Sequence, residues 1–159
     1  MSNFYNHLFE TPDFRYMKVK ADIKVAIGDL LYANDECFVF PVSNWEGKHN
    51  DLMKCFAGVA LQATDIGDDD PIKVGVSGIF EFECGAQDFN VGDRVQPEMK
   101  IDGPQNTSVS KAAGLGTGSV YRTTSSLPRV MVDIHSAIAG PIPRELYNLL
   151  QDMALKAGE

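Results

Sequence analysis

A mainly β protein, a small β-barrel or β-sandwich, is what this sequence predicts, and three patterns predict it. Apolar and polar residues alternate strictly from Met17 to Val25, the signature of a strand with one buried and one wet face. Short runs rich in Val, Ile and Phe then recur, separated by Gly, Asp, Asn and Pro, as in barrels and sandwiches. Two of these runs are punctuated alike: "KVAIGDLLYA" at residues 24–33 and "DFNVGDRVQP" at residues 88–97. In each, Gly-Asp follows an apolar run. Glycine accepts positive φ there, and the aspartate side chain can accept from nearby backbone N–H groups.

Taken in order, residues 1–16 form an N-terminal arm carrying Phe4, Tyr5, Leu8, Phe9, Phe14 and Tyr16, with Pro12 breaking any helix. So many aromatics are costly to leave in water. They either pack on their own domain or dock on a neighbouring subunit. Residues 17–139 form the β-rich domain. Its first strand is the alternating segment, whose outer lysines discourage edge-to-edge pairing. "DLLYA", "CFVFPV", "FAGVALQ", "IKVGVSGIFEFE", "DRVQP", "GSVYRT" and "RVMVDIHS" are further strands. Residues 44–55, "NWEGKHNDLMKC", hold the only Trp, Trp45, in a long loop or short helical turn. Residues 102–118 are small and polar enough for a mobile loop. At residues 140–159 the period changes: Ile142, Leu146, Leu149, Leu150 and Met153 share one helical face. Pro143 suits a first turn and Gly158 a helix end.

The composition narrows the function classes. A chain of 159 residues, 44% hydrophobic and 23% charged, suits one folded domain with a real core. Its formal charge of −8 disfavours long-range attraction to nucleic acid. No apolar run approaches the roughly 20 residues needed to span a bilayer. "MSNFYNHLFETPDF" lacks a basic segment followed by an apolar one, so no secretory signal is expected. Cys37, Cys55 and Cys84 are odd in number and lack metal-type spacing. Reduced, buried thiols of a protein made in a cytoplasm are expected.

Catalytic patterns are sparse. His7, His49 and His135 lie in three separate segments, and no His-x-His with a nearby Glu occurs. Asp65, Asp68, Asp69 and Asp70 invite a calcium reading, but an EF-hand loop starting at Asp65 needs Glu where Val76 stands. A solvated acidic turn is expected instead. "GLGTGS", residues 114–119, leads into a strand-like "VYRTT" rather than a helix, so it matches neither phosphate-binding glycine motif. In "VMVDIHS", alternation sets Val130, Val132 and Ile134 on one face. Met131, Asp133 and His135 fall on the other, and Ser136 points away from His135. A triad needs its nucleophile to reach the imidazole, so a polar outer face is expected. The sequence therefore suggests no enzyme, no catalytic residue, no cofactor and no metal.

The order "VAIGDLLYANDECFVFPV", "FAGVALQAT", "IKVGVSGIFEFEC", "VGDRVQP", "VMVDIHS" resembles the capsid decoration (cement) proteins of tailed bacteriophages and related phage structural β-domains without assigned activity. The resemblance covers residues 17–139. It implies a β-tulip-like body and a virion protein, made in the host cytoplasm, that binds the outer capsid surface and stabilises the shell. The implied partners are the major capsid protein and further copies of the chain, with a trimer favoured, and neither nucleic acid nor membrane. On this reading Phe4, Tyr5, Leu8, Phe9, Phe14 and Trp45 are interface residues. Two alternatives share the β body. One is another phage structural part, of tail, head-completion or fibre type. The other is a cellular ligand-binding barrel, with Asp133 and His135 or the Gly114–Gly118 loop lining its pocket.

Overall fold

The computed structural model describes residues 13–85, 88–114, 116–123, 128–138, 152–153 and 155–156. The fold is mainly β. β1 (Phe14–Met17), β2 (Leu30–Ala33), β3 (Val39–Pro41), β4 (Phe56–Ala60) and β5 (Ile72–Gly75) make a five-stranded sheet in the order β1-β5-β4-β2-β3. β6 (Ser77–Cys84), β7 (Arg94–Lys100), β8 (Gly103–Lys111), β9 (Gly118–Thr123) and β10 (Arg129–His135) make a closed barrel in the order β10-β6-β8-β7-β9. Cut between β6 and β8, the barrel reads β6-β10-β9-β7-β8, which is the first order displaced by five strands.

The correspondence extends to individual pairings. Ala60↔Val74 between β4 and β5 matches Val120↔Val132 between β9 and β10. Leu31↔Gly58 matches Val95↔Gly118, and Ala33↔Val39 matches Pro97↔Val109. The barrel closes through a parallel pairing that begins at Glu83↔Ser108. In the first sheet the outer strands meet through an isolated parallel pairing, Lys18↔Phe38, with the Val39 N–H donating to the Lys18 carbonyl at 2.9 Å. The described residues between 13 and 138 thus form one β unit built twice, joined directly through Val76.

Two cores follow from this arrangement. In β2, Leu31 and Ala33 point into the first unit with Val19, Val25, Val39, Ala60, Ile72 and Val74, all buried. Leu30 and Tyr32 point the other way, into a larger core with Val59, Phe80, Phe82, Val109, Val120 and Val132. β2 and β4 are buried along their whole lengths because they form the wall between the cores. A strand covered on both faces reads as a continuous apolar run rather than an alternating one.

Several expected elements differ. The alternating stretch is not one strand: β1 ends at Met17, and the chain then turns at Ala21–Asp22. Val19 and Val25 are buried and the lysines exposed, so the alternation reports side-chain burial by a chain crossing the first unit's end, held by the single pairings Lys18↔Phe38 and Val25↔Thr64. The expected mobile loop at 102–118 contains β8. Its small residues are there for close approach. A Cβ at Gly116 would meet the Val95 carbonyl, and one at Gly118 the Asp133 carbonyl. The excursion at 44–55 holds the helix α1 (His49–Lys54), preceded by a 3-10 turn at Val42–Asn44. Of the C-terminal helix, residues 152–153 and 155–156 are helical. Lys54 Nζ pairs with Asp152 at 3.2 Å, and Leu155 lies beside Gly114. Met153, expected on the packed face, is exposed, while Ile142, Leu146, Leu149 and Leu150 lie outside the described residues. Among the described residues no helix is long and apolar enough to cross a membrane.

Candidate functional site

The paired Gly-Asp segments are the same corner made twice. Gly28 (φ 94) and Gly92 (φ 91) occupy the positive-φ place of a turn. Asp29 Oδ2 accepts from the Ala26 N–H at 2.9 Å, and Asp93 Oδ2 accepts from the Asn90 N–H at 2.8 Å. The Gly28 N–H donates to the Ala60 carbonyl, whose own N–H donates to the Asp29 carbonyl; Gly92, Val120 and Asp93 repeat this. Each corner thereby locks the entry to β2 or β7 onto β4 or β9. The environments differ. Asp29 is buried, and desolvation raises its carboxyl above the ordinary value of 3.8, the Ala26 N–H opposing this in part. Asp93 is half-buried, with Lys111 at 3.7 Å. These carboxylates act on backbone and shape the fold.

A groove lies beside each of the seams where the units close. Beside the second seam lies a polar groove of about 450 Å³ lined by Glu83, Glu98, Lys100, Ser108 and Arg129. Both of its cations are paired: Arg129 Nη1 donates to Glu81 at 3.0 Å and Lys100 stands 3.8 Å from Glu98, which also accepts from Ser108 Oγ at 2.8 Å. Cys84 at its edge has a thiol pushed up by burial and by Glu98. Beside the first seam lies a groove of about 390 Å³ lined by Arg15, Tyr16, Met17, Lys18, Glu36, Cys37 and Ile138. The two seams differ because β1 lacks the apolar side chains of β6. By register Arg15 and Met17 correspond to Phe80 and Phe82. Both phenylalanines are fully buried, whereas Arg15 is exposed and Met17 half-buried.

Of the expected interface residues, Phe14 belongs to β1 together with its neighbour Tyr16, not to an arm preceding the sheet. They are exposed, pack edge to face at 5.7 Å, and Lys73 lies over the Phe14 ring at 4.8 Å. Phe4, Tyr5, Leu8 and Phe9 lie outside the described residues. Trp45 is half-buried against the Tyr32 ring at 5.1 Å, its Nε1 donating to the Lys48 carbonyl; it is tied to the larger core, far along the chain from the β1 aromatics.

Asp133 is exposed and His135 half-buried on the outer face of β10. Ser136 is buried, its hydroxyl within 3.4 Å of the Phe56 carbonyl it donates to. The Gly114–Gly118 turn is fixed by Thr117, whose N–H donates to the Val95 carbonyl at 2.9 Å. Asp68, Asp69 and Asp70 are exposed, with carboxylate oxygens within 4.8 Å of one another. Asp68 accepts from the Asp70 N–H, the acidic turn the sequence suggested. No disulfide joins the cysteines, and Cys37, expected to be buried, is exposed at φ 65. His49, unassigned by sequence reasoning, shares a hydrogen bond of 2.9 Å with Gln96 across the units, while its Nδ1 is buried without a partner.

No protein-family model and no curated protein matches the chain.

Proposed function

We propose that this chain is a non-enzymatic virion protein that binds the outer surface of a bacteriophage capsid as a homo-oligomer, favouring a trimer, and stabilises the shell. The observation that carries this reading is the use to which the resembling motifs are put. Both Gly-Asp corners, the Gly-Val-Ala strand and the closing "VMVDIHS" strand all serve to build and lock a double β scaffold. A coat protein needs such a scaffold: a rigid body, apolar side chains offered to neighbours, and an acidic surface that keeps it soluble. Phe14 and Tyr16 on an edge strand supply exposed apolar surface. Repetition over a symmetric lattice converts modest contacts into firm attachment.

The test is cosedimentation with shells assembled from the major capsid protein of the same virion. Saturation at a fixed copy number, with a higher shell disruption temperature, is expected. Removing residues 1–12, which leaves β1 intact, should lower attachment by about tenfold or more. Shells that neither retain the chain nor gain stability would overturn the reading.

A further inference from the structure

Comparison of the two units isolates one feature that the shared fold does not require. Beyond the equivalent pairs Ala33↔Val39 and Pro97↔Val109, the first unit turns through residues 34–38 and the second through residues 98–108. The additional residues form a β finger with Met99↔Pro104 and Lys100↔Gly103 paired, placing Ile101 and Asp102 at its tip. The finger is internally braced. Gln105 Nε2 donates to Asp102 Oδ1 at 3.1 Å and to the Gly103 carbonyl at 3.0 Å. Ile101 is fully exposed at this tip, and Met99, two residues before it, is half exposed. A braced apolar tip loses little conformational entropy on docking.

We infer that the Ile101 finger of one copy docks in the seam groove of a second copy, between Tyr16, Met17 and Ile138. The groove offers these apolar side chains, whereas both cations of the corresponding groove in the second unit are paired. Its rim carries Arg15 and Lys18 with Glu36, opposite in sign to the Asp102 and Lys100 that flank Ile101. The finger does not occupy its own chain's groove, because Ile101 is bare. A contact between unlike surfaces of identical chains closes into a ring when the rotation permits. This inference deepens the assembly part of the capsid-coating reading and rests on it. Shells are left out of the experiment, so a failure here leaves the cosedimentation test standing.

Cys37 lines the groove and is exposed, which permits a direct test on the full-length chain. With Ile101→Cys, mild oxidation should give covalent oligomers whose peptide map joins the introduced thiol to Cys37; adding Cys37→Ser should abolish that linkage. Separately, Ile101→Asp should weaken self-association by about tenfold or more in sedimentation velocity, with unchanged circular dichroism and thermal midpoint. Asp102→Lys should weaken it too, and Arg15→Glu with Lys18→Glu should restore it. A monomeric wild type, cross-links that avoid Cys37, or assembly indifferent to Ile101→Asp would overturn the inference. The last result is expected if residues 1–12 fill the groove.

Discussion

Leu30 and Arg94 stand at the same place in the two units, as do Tyr32 and Gln96, and Val59 and Ser119. In the first unit these three residues are buried, because they pack on the second unit. In the second unit Arg94 is exposed and Gln96 and Ser119 are half-buried. Inward positions differ less: Leu31, Ala60 and Val74 answer to Val95, Val120 and Val132, and all six are buried. The backbone pattern tolerates either outer surface as long as the inner face stays apolar. A duplicated scaffold can therefore change its partners by changing one face of its strands. The first unit is also slighter at its seam: its β3 is short, and its β1 contributes no buried aromatic like Phe80 or Phe82.

The largest expected effect tests whether the units are equivalent at the backbone. Gly58 and Gly118 occupy matching places, and a Cβ at either would fall on the carbonyl oxygen of Gly75 or Asp133, themselves equivalent residues. Neither carbonyl can withdraw without breaking a central ladder. Gly58→Ala and Gly118→Ala should each destabilise the chain by about 3 kcal/mol, measured by urea unfolding. The two losses should agree closely. A mild effect at one site alone would mean that the units share topology without sharing close packing.

The second test concerns the corners. Asp29→Ala strips the part-buried Ala26 N–H of its acceptor and should cost about 1–2 kcal/mol, whereas Asp93→Ala, with water within reach, should cost about 0.5–1 kcal/mol. Asp29→Asn keeps an acceptor for the Ala26 N–H and removes a carboxylate whose ionisation burial opposes. It should therefore lose less than Asp29→Ala at neutral pH. Equal losses at the two aspartates in the same unfolding assay would show that burial of the first corner adds nothing.

Much of this was legible in the residues. The strands of β4, β9 and β10 and the Gly-Asp turns follow from apolar runs and turn chemistry that act locally. The duplication was less so, because its clearest marks are two short corners and the glycine pair Gly58 and Gly118, while the surfaces around them diverged from Leu30 to Arg94 and from Met17 to Phe82. β8 was hidden for a related reason. "GPQNTSVSK" contains few β-branched or aromatic residues, and its strand conformation is imposed by pairing with β7 and β6. Local propensity carries no record of such pairing. The seam groove is likewise assembled from β1, the β2–β3 turn and Ile138, which no linear motif joins.

The smallest expected effect probes the joint between the units. His49 lies at the start of α1, and its ring reaches Gln96 on β7. Burial lowers its basicity below the ordinary value of 6.5, the Gln96 contact opposing this in part. A proton on the buried Nδ1 would have no acceptor. The native chain therefore binds this proton less readily than the unfolded chain does, and stability attributable to His49 is complete above the unfolded value. It declines as pH falls through 6.5 toward the lower folded value. His49→Gln retains a polar side chain but cannot titrate. The difference in unfolding free energy between wild type and this variant, followed from about pH 8 to about pH 5, should shift against the wild type over that window. A difference constant with pH would mean that the imidazole acquires a second partner on protonation, and that the contact between the units is indifferent to charge.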